Sequence, residues 1–567
     1  MNRLLSQVPR MPRWMPRWRH LRWVACAAVV PALWACNSRR LATPTPVPAV
    51  IDARTFKQTV NHQLDLLVMV DNSSSMNPLQ AKMSTQLPSF LDALKDQSTG
   101  QYPDLHVAVV SSSFGGGAWS NVNQCASGSH PGDDQGNFQQ GPGGAGAGTC
   151  TGLHAGETYL KNGDGTSANP PNFDGKIGDV FQCMALLGDS GCGFESQFES
   201  VYYALAKSLK QAGSTDDDNH DSHNGGFLRP TAVLAVVMLT NEDDCSVASN
   251  SLVLDPGVNS AMDPTGLGAL QSYRCNEFGH LCDWSAGTQV PPPHGYNFNT
   301  NQFDLAMGTF RTPTGPGTGG VMLTNCVSED GHGKTDSMLK DPDGNPDKTM
   351  GHLFPTVPDF KNFIMQLKNN PDDVLVAAIA GPVVDDSGNS LYRVFASQNP
   401  AANNEMDPVV DHSCVQATTD PGKPEYADPA VRIHAWTDSF GANNGVFYPI
   451  CANDFSMAMT AIANKIHQKL GASCISTQIA VDPTDSTKHN CQVSQVITDS
   501  SGNKTTSPLE ECDAQVSNAP CFKLEANSMQ CNDPNAKTLF KVCNDSSCMP
   551  MTQSSETKDA SIACAVE

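Results

Sequence analysis

The chain is short of positive charge. Lysine and arginine together number 35 against 58 aspartates and glutamates, a formal net charge of −23. So acidic a body repels nucleic acid phosphates, which excludes a nucleic-acid partner, and suits divalent cations, cationic partners or plain solubility. A membrane-spanning helix is not expected either: the apolar stretch from Trp23 to Ala35 is too short to cross a bilayer. No His-Glu-x-x-His, no Gly-x-Ser-x-Gly elbow and no Gly-x-x-x-x-Gly-Lys phosphate loop occurs, and the fifteen histidines are scattered. An enzyme is therefore not expected. Nor do paired Cys-x-x-Cys sets occur, which argues against zinc.

What is present begins with a targeting signature. Six arginines from Arg3 to Arg22 precede the apolar stretch, and the first 35 residues contain no acid. The stretch ends Leu33-Trp34-Ala35-Cys36, which resembles the lipobox of bacterial lipoproteins. That resemblance implies a signal peptide over 1–35, lipidation of Cys36, export, and a membrane partner through the lipid anchor, with Asn37 giving no reason for inner-membrane retention. An outer-membrane lipoprotein of the cell envelope is the expectation. Of the 20 cysteines, Cys26 leaves with the signal and Cys36 carries lipid, so 18 remain. An even number that large fits disulfides formed in an oxidising compartment.

Residues 36–59, with Thr43-Pro44-Thr45-Pro46-Val47-Pro48, read as an extended tether. A folded unit then spans 60–471. It opens on the apolar run Leu64–Val70, followed by helical spacing from Leu79 to Leu94 that Pro88 kinks or divides. Leu105–Val110 reads as a second strand, and strand–helix–strand starts a parallel sheet. The run Ala232–Leu239 reads as a central strand buried on both faces, and Val374–Ala380 as another. A helix over 198–209 precedes the first of these, one around Phe360–Leu367 lies between the two, and a further helix, ending at Leu470 before Gly471, closes the unit. The fold class expected is α/β, a doubly wound, mostly parallel sheet of Rossmann-like type.

Two long insertions interrupt it. Residues 113–177 are dense in glycine, asparagine and serine, and a disulfide between Cys125 and Cys150 would restrain them, although spacing does not fix connectivity. Residues 250–355 hold Cys275, Cys282 and Cys326. The acidic, histidine-bearing run Asp216–His223 lacks the spacing of an EF-hand loop and reads as a solvated loop, and Asp341–Asp347 looks like a cation-friendly turn of a kind also common in plain turns. From 472 to 567, eight cysteines with little helical periodicity read as a small disulfide-rich β module.

The chemistry concentrates at strand ends. Asp71, Ser73 and Ser75 deliver three hard oxygen donors onto one loop, a set that suits Mg²⁺, with Mn²⁺ or Ca²⁺ as alternatives. The pattern Asp-x-Ser-x-Ser after an apolar strand resembles the metal-ion-dependent adhesion site of von Willebrand factor type A domains. More narrowly, Gly191-Cys192-Gly193-Phe194-Glu195, Gly226-Phe227-Leu228-Arg229-Pro230 and Asp243-Asp244-Cys245-Ser246 resemble cysteine-rich A-domain lipoproteins of myxobacteria-like bacteria. The resemblance implies metal-dependent binding of a protein or cell-surface ligand, or a structural envelope role in which the metal only stabilises the fold. It also implies a threonine on a second loop and an aspartate on a third. Here the second loop offers Glu195 and Ser196 instead, and the third-loop position is Asn241, with Asp243 two residues on. The expected metal set is thus Asp71, Ser73, Ser75, Glu195, Asn241 and Asp243.

Overall fold

The computed structural model describes residues 51–57, 63–95, 101–117, 119, 122, 125, 134–143, 148–163, 169–209, 223–247, 251–256, 270–284, 287–293, 296–297, 302–303, 320–330, 353, 355–399, 405–416, 425–470, 474–475, 479–498, 503–514, 516–526, 538–545 and 557–565. The signal segment, Cys36, the first part of the tether, the acidic run Asp216–His223 up to Ser222, and Asp341–Asp347 lie outside them.

The apolar runs build one six-stranded sheet. After β1 (Ile51–Lys57), which belongs elsewhere, its strands are β2 (Gln63–Val70), β3 (Asp104–Ser111), β4 (Leu160–Lys161), β5 (Val233–Leu239), β6 (Val374–Ala380) and β7 (Gly445–Pro449). They lie in the order β7-β6-β5-β2-β3-β4, all parallel except β4. Counted from β2, this is the 3-2-1-4-5-6 order of a doubly wound sheet, with its topological switch point between β2 and β5.

Helices cover both faces because the central strands are apolar on both. Leu64, Leu66, Val68 and Val70 face a core shared with α1 (Asn77–Ser84), α2 (Leu87–Asp92) and α3 (Ile177–Met184). Leu67 and Met69 face the opposite core, shared with α4 (Gln197–Ser208), beyond the short insertion helix α5 (Tyr273–Gly279), and with α6 (Val357–Gln366) and α7 (Val431–Ser439). The first face is completed by α8 (Ser456–Leu470) through Met459, Ile462 and Ile466. Burying each such aliphatic side chain contributes about 1.5–3 kcal/mol. Pro88 divides its segment as expected: α1 ends at Ser84, and the proline, which has no N–H to donate, enters at the first turn of α2.

Several expectations need correction. The insertion over 113–177 is not wholly irregular, since its Leu160–Lys161 adds the antiparallel edge strand to β3. Cys125 and Cys150 do not pair with each other; the bonds are Cys125–Cys192 and Cys150–Cys183. Both therefore tie the insertion to helical and loop segments of the α/β unit rather than closing it on itself. The second insertion carries a small sheet of its own, with Cys282–Cys326 bridging two of its strands. The tether ends sooner than 59, because β1 pairs antiparallel with Thr557–Ala565 at the edge of a seven-stranded C-terminal sheet. That sheet carries Cys491–Cys564 and Cys512–Cys521, so the disulfide-rich C-terminal module is present and has recruited a strand from the other end of the chain.

One polar residue interrupts the apolar face of β2. Asp65 is wholly buried, and its carboxylate accepts from Arg229 Nε at 2.8 Å and Lys368 Nζ at 2.7 Å. Burial pulls Lys368 below its usual range while the Asp65 charge holds it up. Replacing Asp65 by alanine would leave the fully enclosed Lys368 ammonium without its counter-charge, while Arg229 keeps Asp104 at 2.8 Å, and is expected to lower stability by about 3–5 kcal/mol in urea unfolding. A loss under 1 kcal/mol would show that Lys368 reaches water.

Candidate functional site

Open α/β sheets bind ligands beyond the carboxyl ends of their strands, at the switch point. Here that is the space between the exits of β2 and β5. The Asp71 N–H donates to Leu239 O at 2.9 Å, which locks the two exits side by side. The Asp71 side chain is fully buried. Its Oδ1 accepts from Ser73 N at 2.8 Å and Ser112 Oγ at 3.0 Å, and its Oδ2 accepts from Thr240 Oγ1 at 2.6 Å. Burial pushes its carboxyl up from the usual range, and these donors pull in the other direction without overcoming it.

The other first-loop donors join it. Ser73 Oγ and Ser75 Oγ lie 3.0 Å apart, and Ser75 Oγ donates to Asn241 Oδ1 at 3.1 Å. Asn241 is itself held by a hairpin: its Nδ2 donates to Tyr426 O at 3.0 Å and its carbonyl accepts from Asp428 N at 2.8 Å. Glu195, just ahead of α4, is buried, and it lines one small cleft with Glu242. Burial first, then the Glu242 and Asp71 charges, push Glu195 well up; burial, then Asp428 and Asp71, push Glu242 to about 8. Among the described residues no lysine, arginine or histidine forms an ion pair with Asp71, Glu195 or Glu242.

Five of the six expected donors, Asp71, Ser73, Ser75, Glu195 and Asn241, therefore gather at one place. Asp243 does not join them. Its Oδ2 accepts from His280 Nε2 at 2.7 Å and Arg432 N at 2.9 Å, and its Oδ1 from Ile433 N at 3.2 Å. It caps the N-terminus of α7, where backbone N–H groups lack partners, and this competing use takes it away from Ser75. Asp244 caps α4 in the same way through Phe198 N at 2.8 Å and pairs with the buried Arg432. Glu242, the acid between Asn241 and these caps, is the one that reaches Ser75, at 3.5 Å.

Thr240, Glu242 and Ser112 were not anticipated as part of the site. Thr240 carried a signal, being the first polar residue after a buried strand. Ser112 carried none beyond its place after β3. The loop bearing Glu195 hangs on the same exits: Gly191 N donates to Asn72 O at 2.8 Å and Cys192 N to Ser113 Oγ at 2.8 Å. Gly191 is required there, since a Cβ would stand 2.3 Å from Asn72 Oδ1. A small cleft beside the cluster is lined by Glu195, Glu242, Asp243, Cys245, His280 and Asp428.

The donor set fits a hard cation. It is entirely oxygen, contains a buried carboxylate without a counter-charge, and includes a carboxyl pair that has to share a proton when no cation lies between them. Cys512, Cys521 and Cys543 also lie within 4.8 Å of one another, but all three are disulfide-bonded and offer no thiolate to a metal.

No protein-family model and no curated protein matches the chain. Among solved structures it is similar to a pilus adhesin from Streptococcus pneumoniae, with 10% identity over 91% of this chain and 58% of that one and a TM-score of 0.24. It is also similar to a pilus adhesin from Lactobacillus rhamnosus GG in an open conformation, with 12% identity over 92% and 42% and a TM-score of 0.24. The chain spans less than two thirds of either adhesin, and superpositions this loose assign neither fold nor function.

The carboxyl pair sets a pH dependence. Glu242 ionises near 4.5 in the unfolded chain and at about 8 when folded, so between those values the folded form binds more protons. In EDTA, stability is expected to fall as pH rises from about 5 to about 8, and Glu242→Gln to flatten that slope. Thermal midpoints across the range measure it; a midpoint that climbs with pH would contradict the placement of this pair.

Proposed function

We propose that the chain is an exported, cell-envelope protein of the von Willebrand factor A type, anchored through a lipidated Cys36, that binds a protein or cell-surface ligand through a divalent cation. Mg²⁺ is the cation of choice, with Mn²⁺ or Ca²⁺ able to replace it. Asp71, Ser73 and Ser75 would hold it, with Asn241 and the Glu195–Glu242 pair at its margin. The observation that carries the reading is the fully buried Asp71 carboxylate, ringed by hydroxyl groups and without a basic partner, at the switch point of a doubly wound sheet. A hard cation there would supply the missing positive charge and offer a coordination position to a partner's oxygen. Seven disulfides among the described residues agree with folding in an oxidising compartment. We further propose that the chain is not an enzyme, since none of the signatures His-Glu-x-x-His, Gly-x-Ser-x-Gly or Gly-x-x-x-x-Gly-Lys occurs in its sequence.

A second reading, in which the cation only stiffens the fold, is favoured by the Glu195–Glu242 pair, because one of these carboxylates can take the position otherwise open to a partner. Two measurements separate them. Mg²⁺ or Mn²⁺ is expected to raise the thermal midpoint of the native protein, and Asp71→Ala to abolish the rise. The Ser73→Ala/Ser75→Ala variant is expected to lose attachment to envelope or cell surfaces, as the native protein does in EDTA. If chelation lowers the midpoint but leaves attachment intact, the structural reading holds; if Asp71→Ala leaves the cation response unchanged, both fall.

A further inference from the structure

Gln197 opens α4 and is wholly buried. Its carboxamide reaches into the oxygen cluster, where Nε2 donates to Thr240 Oγ1 at 3.0 Å and to the Glu242 carbonyl at 3.4 Å. These partners fix its orientation. Thr240 gives its single proton to Asp71 Oδ2 at 2.6 Å, so its oxygen accepts from Gln197. The Glu242 carbonyl can only accept. Nε2 and Oε1 therefore cannot change places, and Oε1 is left buried with no hydrogen-bond partner. Such an orphaned amide oxygen is destabilising and uncommon in a folded protein. Two other buried side-chain atoms among the described residues share this state, Ser200 Oγ and Trp436 Nε1.

The orphaned oxygen belongs to the amide that is bonded to Thr240, which is itself bonded to Asp71. The loop ahead of α4 has no threonine, and its Glu195 carboxyl is occupied with Glu242. We propose that Gln197 is the second-loop donor: its Oε1 enters the shell of the cation held by Asp71, Ser73 and Ser75, directly or through a cation-bound water. The inference rests on the cation reading above. Amide oxygens are ordinary ligands of hard cations. A neutral donor at this point also adds no charge beside Asp71, Glu195 and Glu242, whereas a carboxylate would.

The test is calorimetric titration of the full chain with Mn²⁺, comparing the native protein with Asp71→Ala, Gln197→Met and Gln197→Glu. Gln197→Met keeps the side-chain volume but removes the oxygen, and is expected to weaken Mn²⁺ binding at least tenfold. Gln197→Glu keeps an oxygen and adds charge, and is expected to bind Mn²⁺ at least as tightly as the native protein. A purely structural Gln197 would reverse that order, because glutamate loses the amide donors and adds a like charge. Native affinity in Gln197→Met, or weaker binding in Gln197→Glu than in Gln197→Met, overturns the proposal. If Asp71→Ala abolishes binding and Gln197→Met does not alter it, this inference falls alone. If Asp71→Ala binds Mn²⁺ like the native protein, the cation reading falls and takes the inference with it. Melting in EDTA verifies that each variant folds, and should Gln197→Met fail to fold, the Gln197→Glu arm decides.

Discussion

The burial of Asp71 imposes more on this structure than any other single residue. A carboxylate removed from water without a basic partner costs several kcal/mol, and each hydrogen bond to it returns about 1.5–3 kcal/mol. The protein brings three such donors from three segments: Ser73 from the same loop, Ser112 from the exit of β3, and Thr240 from the exit of β5. None of these can move without exposing the deficit. The register of β2 between β3 and β5 is therefore fixed at its carboxyl end by electrostatics as well as by its apolar faces.

The two insertions, the largest departures from a plain α/β unit, are fastened to this same end. Cys192 lies three residues before Glu195 and bonds to Cys125 of the first insertion; Cys245 lies three residues after Glu242 and bonds to Cys275 of the second. The two disulfides share one apolar cluster with Phe194, Val253 and Phe278, and Cys245 N donates to Glu195 O at 2.8 Å. The described parts of both insertions are thus fastened beside the acidic loops and form a rim there. The hairpin of Cys414–Gln416 and Glu425–Ala427 completes that rim, tied down by Cys414–Cys451 and by the bond between Lys82 and Glu425.

Much of this was legible in the sequence, and what was not shares a cause. The central strands and their helices announce themselves through unbroken apolar runs and helical spacing, and Asp71, Ser73 and Ser75 follow from the point at which such a run stops. The third loop was harder, because it strings four candidate oxygens together. Whether Asn241, Glu242, Asp243 or Asp244 faces Ser75 depends on which carboxylate the free N–H groups of α7 and α4 capture. For Asp243 that partner, Arg432, lies 189 residues away. Local chemistry cannot decide a competition whose other party is that distant. The same holds for β4, two residues long and defined only by its pairing with β3, and for β1, whose partner is at the opposite end of the chain.

The placement of β1 also gives the molecule a polarity. Upstream chain enters through β1 at the edge of the C-terminal sheet and passes after Lys57 to β2, which begins at Gln63. The Asp71 cluster lies at the other end of β2, eight residues on, a distance of about 26 Å at the rise of an extended strand. Within the α/β unit, entry and site are thus at opposite ends of the sheet: the exits of the parallel strands β2, β3 and β5, which lead into the loops that contribute the oxygens, lie on the side away from the amino-terminal end of β2. The strand that was expected to be tether is the first described element of the chain.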